Sequence, residues 1–308
     1  MNEMKYVYGP VPSRRFGISL GISPIPKKTC NYSCIYCQLG RTNHMTNTRQ
    51  MFFSIDEIMS EFDEIINNKI NFDIITIVGE GEPTLYLGLG ELISEIQKRT
   101  YKPVAVITNG ALLYDSEVRK ELYDANIVLP TLDAYDEESF KKINRPHGSI
   151  SFAMVADGLK LFSKEYKGQL WIELMLISGI NDDEKSLEKY SEILNKLDYD
   201  KLYINTPVRP PAEFFVEAVE HEKMEHAVDV LGGISIDLLE SQGFHSEIKD
   251  DYEAILSIIK RHPMNQFEIE GFLNSRKCEK VKDVLDKLNK DSNITIITYK
   301  GYDTYRLK

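Results

Sequence analysis

Between about residues 54 and 205 the chain alternates short β-branched runs with amphipathic segments, and this alternation limits the possible folds more than any other feature. Strands and helices taking turns at this spacing build a parallel sheet with crossover helices. Ser54-Ile-Asp-Glu57 has the pattern of a capping box. It opens a helix in which Ile55, Ile58, Met59, Phe62, Ile65 and Ile66 recur at helical spacing. Residues 73–78 read as a buried strand. The series continues with a helix near 89–99, a strand at 104–108, a helix near 116–125 and a strand at 127–133. Helical segments near 136–144 and 151–166 follow, then a strand at 169–177, a helix at 183–197 and a strand at 201–205. With 18–22 as the first strand the expectation is six parallel strands, two short of the eight that close an ordinary (β/α) barrel.

The loop after that first strand carries Cys30-Asn-Tyr-Ser-Cys34-Ile-Tyr-Cys37, and Cys278 is the only other cysteine. Chemistry in barrel enzymes lies on loops at the carboxyl ends of the strands, so the cysteines fall where a site belongs. Three thiolates from one loop suit a cuboidal iron–sulphur cluster and leave one of its four irons open. They also suit zinc, with His44 or Cys278 as a fourth ligand, although zinc usually takes two well-separated pairs. So few cysteines, and no secretory leader, point to a reducing cytoplasmic setting without a disulfide framework. No apolar run approaches the ~20 residues needed to span a bilayer.

The C-x3-C-x2-C run resembles the radical SAM superfamily. That resemblance implies an α/β fold with a partial (β/α)6 barrel and a [4Fe–4S] cluster on Cys30, Cys34 and Cys37. It also implies S-adenosylmethionine chelated at the open iron, and an electron donor such as flavodoxin or ferredoxin. The turn Gly79-Glu-Gly-Glu-Pro-Thr84 resembles the family's Gly-Gly-Glu-Pro element, departing at Glu80. Gly81, Glu82 and Pro83 are thereby assigned to the methionyl amine. Tyr36, between the second and third cysteines, is expected at the adenine ring or in packing beneath the loop. Asn109, Asp133 and Asn181 close three further strands. The first two are candidates for ribose or substrate, and the third resembles a Gly-Ile-Asn-Asp turn near the adenosine. Arg14, Arg15 and Arg209 flank predicted site loops and are candidate anion binders for substrate.

The carboxyl-terminal part reads differently. Helices at 252–261, 265–274 and 277–290, then a hairpin at 294–307 turning at Lys300-Gly301, resemble a winged helix-turn-helix. The expected division is a barrel over 1–245 and a winged-helix-like α+β domain over 250–308. The net charge is −11, yet residues 276–308 hold nine Lys/Arg against five Asp/Glu, so +4 there faces −15 elsewhere. Arg276, Lys277, Lys280 and Lys282 form a candidate nucleic-acid face, or simply a solvated one. The Gly-Glu-Pro-Thr-Leu turn, the Arg209-Pro-Pro211 loop and the approach to the cysteines are similar to proteins related to the wyosine-base synthase. That likeness implies a tRNA nucleoside as substrate. A peptide or protein target, such as a glycyl-radical enzyme, is the alternative, and a DNA-binding redox sensor is a third reading.

Overall fold

The computed structural model describes residues 4–236, 244, 246, 248–260, 262–299 and 301–308. Its elements run β1 (Val7–Ser13), β2 (Gly17–Ile22), β3 (Thr29–Cys30), β4 (His44–Met45), α1 (Ile55–Asn67), β5 (Ile74–Ile77), α2 (Leu89–Arg99) and β6 (Val104–Thr108). Next come α3 (Ser116–Leu122), β7 (Ile127–Pro130), α4 (Glu137–Ile143), α5 (Phe152–Glu165), β8 (Gln169–Met175), α6 (Glu184–Leu194), β9 (Lys201–Asn205), α7 (His221–Leu231) and β10 (Ile234–Ser235). The remainder is α8 (Asp251–Ile259), β11 (Met264–Asn265), α9 (Gln266–Ser275), α10 (Val281–Lys290), β12 (Ile294–Tyr299) and β13 (Tyr302–Leu307).

One eight-stranded sheet has the order β1-β2-β5-β6-β7-β8-β9-β10. The six expected strands, β2 and β5 to β9, are parallel throughout. Two edge strands join them that the sequence pattern did not suggest: antiparallel β1 and two-residue β10. β1 carries Pro10 and Pro12, which lack an amide donor and so suit an edge. Helix α7, also missed, ends at Gly232 in the left-handed region (φ 69°).

Alternation along the strands separates an outer face from a lumen. Leu20, Ile22, Ile75, Ile77, Val104, Val106, Val128, Ile172 and Leu202 point outward into the main core. The capping box at Ser54 sets α1 so that Ile58, Met59, Phe62 and Ile65 join that core. Burying each contributes about 1.5–3 kcal/mol. On the lumen side, Ile74, Ala105, Ile127, Leu129, Trp171 and Tyr203 form an apolar plug with Phe16 packed on it. Toward the carboxyl ends the lumen turns polar, with Ser19, Thr76, Thr108, Thr131, Glu173 and Asn205 lining a cavity of about 450 Å³.

The final segment has its own apolar cluster, built on Ile255, Ile258, Met264, Ile269, Phe272, Leu273 and Leu288. Its helices and hairpin match the sequence expectation, and β11 adds a third strand in the order β11-β13-β12. Arg261 and Lys300, within the expected helix end and turn, lie outside the described residues, as do 237–243, 245 and 247 near the expected boundary. This module rests on the barrel: α8 packs on β1, Tyr299 Oη donates to the Pro207 carbonyl (2.8 Å) and Arg306 to the Gln38 carbonyl (3.4 Å).

Candidate active site

Cys30 closes β3, which the short pairing with β4 holds in place. Cys34 and Cys37 follow on a tight turn, with the Cys37 amide donating to the Cys34 carbonyl (3.2 Å). All three thiols line the cavity. Among the described residues no three His, Cys, Asp or Glu side chains converge closely enough for a single metal ion. His44 lies exposed on β4, and Cys278 packs against the core of the final module, so neither candidate fourth zinc ligand joins the cysteine loop.

Side-chain amides approach two of the sulphurs. Asn109 Nδ2 lies 3.7 Å from Cys30 Sγ, and Asn144 Nδ2 lies 3.5 Å from Cys34 Sγ. Burial pushes the Cys30 thiol up to about 12, with Glu82 adding to the rise, and raises Cys34 and Cys37 too. For Cys37 the nearby Lys28 and Arg306 oppose that rise. Thiols in such surroundings stay protonated until a metal displaces the proton.

Gly81 shows why the adjacent turn needs glycine. A Cβ there would stand 1.8 Å from the Thr29 carbonyl oxygen, so a side chain would force the turn away from the cysteine loop. The Glu82 amide donates to that same carbonyl (3.1 Å). The Glu82 carboxylate is buried yet well partnered: Oε1 accepts from Thr84 N (2.9 Å), Thr84 Oγ1 (2.6 Å) and Thr108 Oγ1 (2.6 Å). Oε2 accepts only the Asn109 amide (2.7 Å), which leaves it acceptor capacity at the cavity wall. Desolvation nonetheless raises the Glu82 pKa.

Tyr36 lines the cavity and donates its hydroxyl to Asp133 Oδ2. Asp133 also accepts from Asn144 Nδ2 (2.9 Å) and the Met175 amide (3.1 Å), and burial lifts it to about 6. Asp133 therefore stands behind Tyr36 and does not itself line the cavity. Pro83 opens a single helical turn behind the wall. Asn181 is fully buried, holding Ile177 N, Met175 O and Tyr190 Oη at 2.7–2.9 Å. Asp133, Pro83 and Asn181 stand behind the cavity lining: Tyr36, Asn144 and the Met175 amide occupy the Asp133 carboxylate, and Asn181 spends its amide on Ile177 N, Met175 O and Tyr190 Oη.

The arginines differ more from expectation. Arg14 and Arg15 sit at the β1–β2 turn, at the opposite end of β2 from the cysteine loop, and reach the cavity from its floor. Arg15 is paired with Glu173. Arg209 also lines the cavity, but it donates to the Pro263 carbonyl, pairs with Glu268 (3.3 Å) and approaches His262 Nε2 (2.7 Å). Arg145 and Arg41 converge on Glu213, drawing its carboxyl down to about 2. That knot ties the cysteine loop to the loop after β9. Asn31, Asn144 and Glu213 were missed as supports. The weak signal for Asn31 and Asn144 was their place beside Cys30 and in Asn144-Arg-Pro.

The Radical SAM superfamily family model matches residues 25–190, more than half of the chain. The chain belongs to the radical SAM superfamily. It is 34% identical over 309 residues to the UPF0026 protein of Methanocaldococcus jannaschii, covering 97% of this chain and 94% of that one. It is 43% identical over 225 residues to a protein called GTPase Obg from Brachyspira hyodysenteriae, covering 73% of this chain but only 33% of that relative's length. Among solved structures, a radical SAM methyltransferase from Sphaerobacter thermophilus superposes with a TM-score of 0.54 at 14% identity, over 71% of this chain and 68% of that one, a likeness of fold.

Membership makes the chain a radical SAM enzyme, with a [4Fe–4S] cluster and S-adenosylmethionine as cofactors and a need for an electron donor. The residues fit these groups. Three partly buried thiols line one cavity, and Gly81 allows the turn to approach the cysteine loop where a Cβ would meet the Thr29 carbonyl. The regulator reading and the zinc reading fall away with the family. No helix among the described residues is long and apolar enough to cross a membrane.

Proposed function

We propose that this radical SAM enzyme modifies a nucleoside carried in tRNA, with reducing equivalents from a flavodoxin or ferredoxin. The cluster and S-adenosylmethionine supply a 5′-deoxyadenosyl radical when an electron arrives. In this reading Cys30, Cys34 and Cys37 hold iron. Glu82 Oε2 and the Gly81 backbone receive the methionyl amine, and Tyr36, fixed by Asp133, bears on the adenine. Asn109 ties this set together, since its amide N–H meets Glu82 while its side chain spans Asn31 and Cys30. The plug of Trp171, Tyr203 and Phe16 keeps water from entering through the floor.

The observation that carries the substrate reading is the cavity itself, whose lining joins the three cysteines with Arg14, Phe16 and Arg209. An aromatic ring beside cationic forks suits a base and its phosphate. We also take residues 250–308 to be a winged-helix-like domain whose exposed Lys277, Lys280 and Lys282 meet RNA phosphates. Arg276 does not belong to that face: it pairs with Asp251 (2.7 Å) and donates to the carbonyls of Ser246 (2.6 Å) and Ile248 (2.5 Å). The likeness to the wyosine-base synthase informs substrate type only. Cys278 is the single cysteine left over, so a second cluster on three cysteines has no ligands.

A peptide or protein target is the second reading. It is favoured by Phe214, 97% exposed, and its neighbour Phe215, which stand beside the Glu213 knot as an apolar docking point. The test is 5′-deoxyadenosine formation by anaerobic, reduced enzyme, with and without unmodified tRNA. Faster formation with tRNA and a mass change in one nucleoside are expected. No stimulation by tRNA would overturn the RNA reading.

A further inference from the structure

A partial barrel leaves a gap between its two edge strands, here β1 and β10. The final module lies across that gap. Its α8 packs on β1, and Phe244 and His262 line the cavity together with Val11, Ser13 and Ile236 from the two edges. At this seam four basic side chains gather from distant parts of the sequence: Arg14, Arg15, Arg209 and His262.

Two of their charges are answered. Glu173 pairs with Arg15, and Glu268 with Arg209. Arg209, always protonated, stands 2.7 Å from His262 Nε2, so that nitrogen accepts and the imidazole is neutral. Arg14 is left over. Among the described residues it makes no hydrogen bond and no ion pair, although it is near enough to Arg15, Arg209 and His262 to lower the pKa of each. Like charges held together in a cavity destabilise one another unless an anion joins them.

We propose that Arg14, backed by Arg209 and His262, is the seat for the phosphate of a nucleotide substrate entering at the seam. The inference rests on the substrate reading given above and narrows it to a group and a place. The neighbouring residue supports a nucleotide over a bare carboxylate. Phe16 lines the same cavity, stacked on Trp171 with centroids 5.2 Å apart and planes 12° from parallel, and adds an aromatic ring to the lining that holds Arg14. A guanidinium fork also matches two phosphate oxygens at once. The methionyl carboxylate of the cofactor is a poor occupant. The six residues of β2 put roughly 16 Å of backbone between the turn that carries Arg14 and the end that leads into the cysteine loop.

The test is calorimetry on the anaerobically reconstituted full chain, titrating each of the four nucleoside 5′-monophosphates against its nucleoside. At least one monophosphate should bind roughly tenfold or more tighter than its nucleoside. Arg14→Gln should remove that preference, and Arg14→Lys should restore part of it. Since Arg14 makes no hydrogen bond or ion pair among the described residues, Arg14→Lys should keep the parent's melting temperature, and Arg14→Gln, which relieves the repulsion, should not lower it. Competition by tRNA would assign the phosphate to RNA, and its failure to a free nucleotide; either supports the seat.

The proposal is overturned by any of three results: no preference for phosphate, a preference that survives in Arg14→Gln, or S-adenosylmethionine being the ligand whose affinity falls. Arg14-dependent binding of a carboxylate-bearing peptide alone would also overturn it, in favour of the protein reading. Cofactor cleavage is measured separately. A chain that forms no 5′-deoxyadenosine yet binds nucleotide through Arg14 contradicts the proposed reaction and not the seat.

Discussion

At the cysteine end of the cavity the supporting groups come from strand ends and the turns beside them. Glu82 is held by Thr84, Thr108 and Asn109, and Asn109 in turn reaches Asn31 and Cys30. At the seam end the groups come from residues 14, 209 and 262, which only the packing of β1, the loop after β9 and the final module brings together. One end is nearly saturated with short-range hydrogen bonds. The other keeps a cation, Arg14, that has no hydrogen-bond or ion-pair partner among the described residues. A site that binds a resident cofactor gains from complete preorganisation, whereas one that admits a substrate must leave charge to be answered on arrival.

The largest expected effect tests the first end. Cys34→Ala should reduce iron from about four per chain to near zero, while circular dichroism stays that of the parent, since Cys34 lies outside the main core. Retention of a full cluster would contradict the ligand assignment. Gly81→Ala comes next. The methyl group meets the Thr29 carbonyl, so stability should fall by about 1–3 kcal/mol, read by chemical unfolding, with cluster loading impaired as the turn retreats. Unchanged loading would mean that the close approach has no bearing on the cluster.

Glu82→Ala should weaken S-adenosylmethionine binding by about tenfold or more while iron content stays near the parent's. Equal affinity in that variant would break the assignment of Oε2 to the amine.

That these three positions gather at one cavity was legible in the sequence, because a tight cysteine run and a close-approach glycine act through local spacing. The six parallel strands and their helices were legible for a similar reason, as hydrophobic period alone distinguishes Ile74–Ile77 from Ile58, Met59 and Phe62. The seam was not. Arg209 was singled out as a free anion binder, but its partners Pro263 and Glu268 lie more than fifty residues away, and no spacing rule joins them. β1 was missed because Pro10 and Pro12 break a strand pattern that only an edge position tolerates. Asn181 is fully buried, which its motif alone does not reveal.

Within the final module a smaller contrast sharpens the same point. Arg276→Gln should cost about 1–3 kcal/mol of stability through lost charge-assisted hydrogen bonds. Neutralising Lys277, Lys280 and Lys282 should leave stability unchanged and flatten the salt dependence of tRNA binding by about one unit of slope per phosphate contact. The reverse pattern would place Arg276 on the RNA face.

Smallest is the acid limb of stability. Glu213 is drawn from 4.5 to about 2, chiefly by its hydrogen bond to Arg41 and also by Arg145. A depressed folded-state pKa stabilises the native state above the unfolded value and loses that contribution as pH falls toward the folded one. Glu213→Gln should therefore flatten stability between about pH 4.5 and 2, and an unaltered profile would show the knot to be inert.

The central claim is that one cavity joins radical chemistry to an RNA nucleoside. It is tested most directly by quantifying 5′-deoxyadenosine from reconstituted, reduced enzyme given S-adenosylmethionine, alone and with unmodified tRNA. The account predicts slow formation alone and a clear rise with tRNA, matched by loss of the unmodified nucleoside. Full iron loading with no 5′-deoxyadenosine under either condition, or formation that tRNA does not raise, would contradict it.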